Sequence, residues 1–170
     1  DYIGTQHAVG VASGTDALYL SLVACGIGSG DEVITVSHTA VATVAAIELA
    51  GAVPVVVDIE PNFYTLNPVC LESALSDKTK AIIPVHLYGQ SASLGDILAF
   101  AEKHQLYVIE DCAQAHGAAI NGKKVGSFGD MAAFSFCQDK IISTGGEGGM
   151  ITTNNENLWK TAWAFKDHGK

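Results

Sequence analysis

The sequence predicts an α/β fold, a three-layer sandwich in which a mostly parallel seven-stranded sheet carries helices on both faces. Three observations lead there. Short apolar runs alternate with helix-length amphipathic stretches from one end of the chain to the other. The runs Val53-Pro54-Val55-Val56-Val57 and Ala81-Ile82-Ile83-Pro84-Val85 are almost continuously hydrophobic, as strands covered on both faces require; half-exposed strands would alternate. Finally, 170 residues, 48% of them hydrophobic, with a mean hydropathy of +0.26, are enough for one sizeable core and exclude a disordered tail or polar linker.

Residues 8–12 form the first expected strand. Ser13-Gly14-Thr15-Asp16 follows as a helix start, rich in the short polar side chains that cap first-turn amides, and opens a helix over 15–26. Gly26-Ile27-Gly28-Ser29-Gly30 comes after a helix and before a strand, the wrong order for a dinucleotide-binding loop, and reads as a turn. Strand 32–36, helix 39–49, strand 53–58, helix 68–75 and strand 81–85 continue the alternation, followed by helix 94–104 and strand 107–110. Residues 118–129, with Asn121-Gly122, Gly126 and Gly129, read as a hairpin or loop on the rim. Strands 131–136 and 149–152 and a helix over 155–165 close the order. Trp159 and Trp163 share a helical stripe suited to packing, and Met131 and Met150 suit core filling. No repeat, low-complexity tract or linker divides residues 1–170, so one domain is expected.

The net charge is −9, from 18 acidic and 9 basic side chains, and every basic one is a lysine. Scattered lysines do not make the basic face that a nucleic-acid partner needs. Apolar runs are too short for a membrane span, and the start Asp1-Tyr2-Ile3 has no initiator Met or signal-peptide pattern, so a cytoplasmic protein is expected. That start and the abrupt end after a helical pattern lead us to expect a fragment of something longer. Cys25, Cys70, Cys112 and Cys137 are far apart and are expected to be buried free thiols. The six histidines show no metal-ligand spacing, and no metal site is expected.

In open parallel sheets ligands sit beyond the carboxyl ends of the strands, so chemistry is sought there. Three segments qualify. Ser13-Gly14-Thr15 joins a strand end to a helix N-terminus, where free amides and the macrodipole favour an anion; taken alone, an ordinary helix cap is the simpler explanation. Asp111 ends a buried apolar strand, a costly place for a carboxylate unless it meets a cation or strong donor, and Gln114 could face the same pocket; a surface carboxylate is the plain alternative. Lys140 follows Phe134-Ser135-Phe136 and precedes the glycine-rich Gly145-Gly146-Glu147-Gly148-Gly149, a setting for an amine that attacks an aldehyde, or for a solvated loop lysine. A phosphate cradle, a carboxylate for a protonated ring nitrogen and a lysine for an aldehyde are together what pyridoxal phosphate demands.

With these segments in order, alongside Gly30-Asp31-Glu32-Val33-Ile34, Val55-Val56-Val57-Asp58-Ile59, Pro84-Val85-His86-Leu87-Tyr88-Gly89 and Glu110-Asp111-Cys112-Ala113-Gln114, the chain resembles the large domain of the DegT/DnrJ/StrS-type sugar aminotransferases. These are a branch of the fold type I aspartate aminotransferase superfamily, and the likeness runs nearly end to end. It implies pyridoxal 5'-phosphate as cofactor, with Lys140 as its covalent attachment and proton-transferring base, and Asp111 on the pyridine nitrogen. Gly14, Thr15 and Ser135 would hold the phosphate and Gln114 the ring hydroxyl. The family usually places a stacking aromatic where this chain has Ala40, so that face is left thinner or covered by His38. The resemblance further implies amino transfer from an amino acid, with L-glutamate expected, to a keto group of a nucleotide-linked deoxysugar. It also implies a homodimer with a shared active site, and a separate small domain outside these residues. A regulatory protein retaining the fold without turnover and a related sugar dehydratase are the alternatives; the dehydratases replace the lysine by histidine, whereas Lys140 is present. A cysteine desulfurase or threonine aldolase is disfavoured by the Phe134-Ser135-Phe136 and Gly146-Glu147-Gly148-Gly149 surroundings.

Overall fold

A computed structural model describes residues 1–169. The elements in chain order are β1 (His7–Val11), α1 (Gly14–Ala24), β2 (Glu32–Val36), α2 (Val41–Leu49), β3 (Val53–Val57), α3 (Leu71–Ala74), β4 (Thr79–Ile83), α4 (Leu94–His104), β5 (Tyr107–Asp111), β6 (Ala119–Ile120), β7 (Lys123–Lys124), β8 (Met131–Ser135), β9 (Gly149–Thr153) and α5 (Glu156–Lys166). Seven of the strands form one sheet in the order β1-β9-β8-β5-β4-β2-β3. The pairs β2–β3, β2–β4, β4–β5 and β5–β8 are parallel, while β9 runs against both of its neighbours. The expected architecture is therefore the observed one.

Alternation along the central strands explains the three layers. Val33, Ala81, Ile83, Ile109, Met131 and Ala133 point to one face, where they meet Leu18 and Leu22 of α1, Ile47 of α2 and Ala162 of α5. Their neighbours Ile34, Ile82 and Val108 point the other way, toward Leu71 of α3 and Ile97 and Ala101 of α4. A strand covered twice needs apolar residues at both parities, which is why these runs read as continuous.

Four expectations need correction. The Val53–Val57 run is not doubly buried: β3 is the sheet's edge, with Val53 and Val56 each more than half exposed. Pro54 fits that position, because an edge strand has one neighbour to satisfy and can do without one amide donor. The helix expected over 68–75 is a 3₁₀ turn at Pro68–Cys70 running into the four-residue α3. Helix α2 starts at Val41 rather than Thr39, with Ala40 at its N-cap and no side-chain capping bond. Of the four thiols only Cys112 is fully buried; Cys25, Cys70 and Cys137 are half-buried. Residues 118–129 do form a rim hairpin, the two-stranded β6–β7.

Candidate active site

Three chain segments reach the carboxyl edge of the sheet together. The turn after β1 is shaped by Ser13, whose Oγ accepts the Asp16 amide and donates to the Asp16 carboxylate, both at 3.0 Å. The Ala17 amide bonds the Ser13 carbonyl. The amides of Gly14 and Thr15 have no acceptor among the described residues, so they remain free at the positive end of an 11-residue helix. Glycine is required here. A Cβ on Gly14 would sit 2.7 Å from Ser135 Cβ, and one on Gly149 would collide with the Ser13 carbonyl. The two glycines let the turn press against the ends of β8 and β9, bringing Ser135 beside the free amides.

Asp111 ends β5 at 4% exposure. Its carboxylate accepts the Thr43 hydroxyl at 2.9 Å and the Ala113 amide at 3.1 Å. The single Thr43 proton is given to Asp111, so the Thr39 hydroxyl donates to Thr43 Oγ1 at 2.8 Å. Burial pushes the Asp111 pKa up, and the neutral donors together with the fields of His86 and Lys140 only partly offset it. The expected cation is thus not a direct ion-pair partner of this carboxylate. Lys140 instead lies 3.5 Å from Asp139 and keeps a side-chain exposure of 20%.

Gly14, Thr15, Asp111, Ser135 and Lys140 line one cavity of about 250 Å³, with Ala40 on its wall. Gln114 and His38 lie outside that wall. Gln114 Oε1 accepts the Tyr88 amide at 3.0 Å, and His38 Nε2 bonds the Tyr88 hydroxyl at 3.0 Å. Ala40 is exposed and too small to stack on anything. Cys137 and Glu147 join the wall; the thiol donates to the Glu147 carboxylate at 3.2 Å, which pushes its pKa up and keeps it protonated.

Sequence reasoning missed two features. Thr43 belongs to the site through a contact with a residue 68 positions away. Behind Asp111, on the other face of β5, Glu110 and His86 form a fully buried pair with Nε2 to Oε2 at 3.0 Å. His86 Nδ1 accepts the Ala92 amide at 3.1 Å, so the ring proton is on Nε2 and is donated to Glu110. Glu110 also accepts the amides of Gly126, Phe128 and Gly129 at 2.8, 2.7 and 2.8 Å. Burial works against its charge, yet these bonds and the His86 interaction outweigh it and hold the carboxyl below the usual range. Cys112 is close enough to complete a three-ligand metal set, but both nitrogens of His86 and both oxygens of Glu110 are already committed.

An open, mostly parallel α/β sheet with an anion-ready helix turn, a buried carboxylate and an amine in one cleft defines a ligand-binding α/β protein with its site at the carboxyl edge. Comparison with known proteins makes this specific. The model of the DegT/DnrJ/EryC1/StrS aminotransferase family matches residues 1–170, and the chain belongs to that family. It is 51% identical over 98% of its length to a protein of Acidithiobacillus ferrooxidans named UDP-N-acetyl-3-dehydro-alpha-D-glucosamine 3-aminotransferase, covering 45% of that protein. It is 48% identical over 99% of its length to a pleiotropic regulatory protein of Geobacillus stearothermophilus, again covering 45%. Among solved structures, an aminotransferase from Psychrobacter cryohalolentis superposes with a TM-score of 0.97 at 49% identity, covering 99% of this chain and 43% of that one. The NtdA structure from Bacillus subtilis, with bound cofactor PMP, gives 0.91 at 36% identity, covering 96% and 37%. The chain spans 37–45% of the length of these relatives.

Proposed function

We propose that the protein of which these residues form the cofactor-binding large domain is a pyridoxal phosphate-dependent aminotransferase. It would move an amino group from an amino acid, with L-glutamate expected, to a keto group of a nucleotide-linked deoxysugar. The observation that carries this reading is the convergence of two free helix amides, a buried Asp111 and Lys140 on one cavity. The donor set fits the cofactor. The phosphate fits the Gly14 and Thr15 amides with the Thr15 and Ser135 hydroxyls, a cradle that a Cβ at Gly14 would close. A protonated ring nitrogen fits the one carboxylate in the wall that is buried without an ion-pair partner.

When bound, pyridoxal phosphate supplies an electron sink and a carrier for the amino group. Lys140 Nζ would hold it covalently and then, as a free amine, take and return the proton at the donor's Cα. Asp111 would stay ionised against the ring nitrogen, with Thr43 and Ala113 fixing the carboxylate's orientation. Gln114, already oriented by the Tyr88 amide, and His38, tied to the Tyr88 hydroxyl, would flank the ring; we assign His38, rather than Ala40, to cover its open face. Chain outside these residues would supply the small domain. A second copy would complete the pocket in a homodimer, a reading supported by exposed Val41 and Tyr88 beside the cleft. The reading places the protein in the cytoplasm.

Borohydride reduction of the full-length protein loaded with pyridoxal phosphate, followed by peptide mass spectrometry, tests this. The adduct is expected on Lys140; an unmodified Lys140 overturns the reading. The regulatory relative motivates one further measurement: 2-oxoglutarate release from L-glutamate is expected of the enzyme, and its absence would favour a regulator that retains the fold.

A further inference from the structure

Glu110 and His86 touch nothing in the cavity, yet they join three segments around it. The Glu110 carboxylate gathers the amides of Gly126, Phe128 and Gly129, fixing the loop that follows the β6–β7 hairpin, and Thr152 Oγ1 bonds the Gly126 carbonyl at 2.8 Å to tie that loop to β9. His86 carries the same carboxylate across to the turn after β4: its ring accepts the Ala92 amide, and its backbone amide donates to the Asp111 carbonyl at 3.0 Å. The Asp111 amide closes the exchange by donating to the Pro84 carbonyl at 2.9 Å. Within this turn Tyr88 adopts a left-handed backbone (φ 57°) that a tyrosine rarely takes, and its amide orients Gln114. A backbone held in so sparse a region persists only where its surroundings over-determine it.

We propose that Glu110 and His86 are positioning residues for the cofactor edge: the carboxylate is a four-donor anchor, and His86 transmits its placement to Asp111 and, through Tyr88, to Gln114. The inference rests on the aminotransferase reading for its purpose, but not for its geometry. A glutamine cannot replace Glu110. Its single oxygen can serve either His86 and Gly126 or Phe128 and Gly129, and its amide group then faces two donors whichever way it turns. His86 cannot adapt by moving its proton, because Nδ1 is held by Ala92.

The test uses the full-length protein. Glu110→Gln is compared with Ile97→Ala, a buried core change in α4 that serves as the reference for stability loss alone. Pyridoxal phosphate Kd, read by absorbance titration of the apoprotein, is expected to rise about 10-fold in Glu110→Gln, the scale seen when a supporting partner of a ligand-holding residue is lost. It should stay at the wild-type value in Ile97→Ala. Equal affinities in wild type and both variants would overturn the proposal. Should Glu110→Gln fail to fold, His86→Asn keeps an acceptor near the Ala92 amide and releases Glu110. In that apoprotein, hydrogen exchange is expected to accelerate at the Tyr88 amide relative to wild type, and unchanged exchange there would equally overturn the relay. A wild-type protein that binds no pyridoxal phosphate refutes the aminotransferase reading instead, and the exchange measurement still decides the relay.

Discussion

Two carboxylates next to each other on β5 face opposite sides of the sheet and meet opposite fates. Glu110 accepts four donors, one of them an imidazole, and its pKa is lowered; Asp111 accepts one hydroxyl and one amide, and its pKa is raised. Burial is similar, 0% against 4% exposure, so hydrogen bonding makes the difference. A carboxylate satisfied by its own chain holds the fold, whereas one left short of donors in a cavity wall is ready for a cationic group from outside.

The strongest break in that comparison is at the amine that shares the cavity with Asp111. Lys140→Ala in the full-length protein is expected to abolish both the borohydride adduct and transamination, and retained turnover would contradict the mechanism. Asp111→Asn follows, with a loss of about 10²-fold or more in kcat, on the scale of a positioned acid or base. The same variant should leave the apoprotein as stable as wild type or more so. The Thr43–Thr39 hydroxyl pair can reverse its direction to accept from the new amide. A raised folded pKa means the folded state keeps its proton longer than the unfolded one, so apoprotein stability falls as pH rises through that window, and Asp111→Asn removes the fall. Chemical denaturation of both apoproteins across pH measures it.

On the other face the sign reverses. The lowered pKa of Glu110 contributes stability that is present above the unfolded carboxylate value of about 4.3 and is lost as pH falls through the folded value. Glu110→Gln is expected to cost about 3 kcal/mol near neutral pH, as leaving buried donors to a charged acceptor unsatisfied does, and to flatten the acid limb of the stability profile. The smallest expected effect is that of Thr43→Val, which removes one donor from Asp111. It should cost about 1–2 kcal/mol through a hydrogen-bonding partner left short, and push the Asp111 pKa further up. An unchanged stability and pH profile in Thr43→Val would show that the hydroxyl contributes nothing to holding Asp111.

Much of this was legible in the sequence, for local reasons. Strand and helix periodicity belongs to neighbouring residues, so the alternation, the Ser13 cap and the rim hairpin could be read directly. Gly14, Asp111, Ser135 and Lys140 could be singled out because Asp111 and Ser135 end strands of the sheet, and Gly14 and Lys140 lie in the segments that follow β1 and β8. What could not be read depends on contacts between distant segments. The edge position of β3 is a property of sheet order, and the partner of Asp111 is a threonine 68 residues away, not the cation its burial had led us to expect. The Glu110–His86 pair likewise spans 24 residues, with all of α4 between its partners. Gln114 and His38 are near the cavity yet both are turned toward Tyr88, whose unusual backbone no local pattern announces.

The claim that Asp111 waits for a protonated ring nitrogen is tested most directly by comparing, in the full-length apoprotein and its Asp111→Asn variant, the Kd for pyridoxal phosphate with that for its analogue in which carbon replaces the ring nitrogen. The wild type is expected to prefer the nitrogen-bearing ring by about 10-fold or more, the scale of a charge-assisted hydrogen bond of about 1.5–3 kcal/mol, and the variant to lose the preference. Equal preference in the two proteins would mean that Asp111 does not recognise that nitrogen, and the contrast between the two carboxylates would then be structural only.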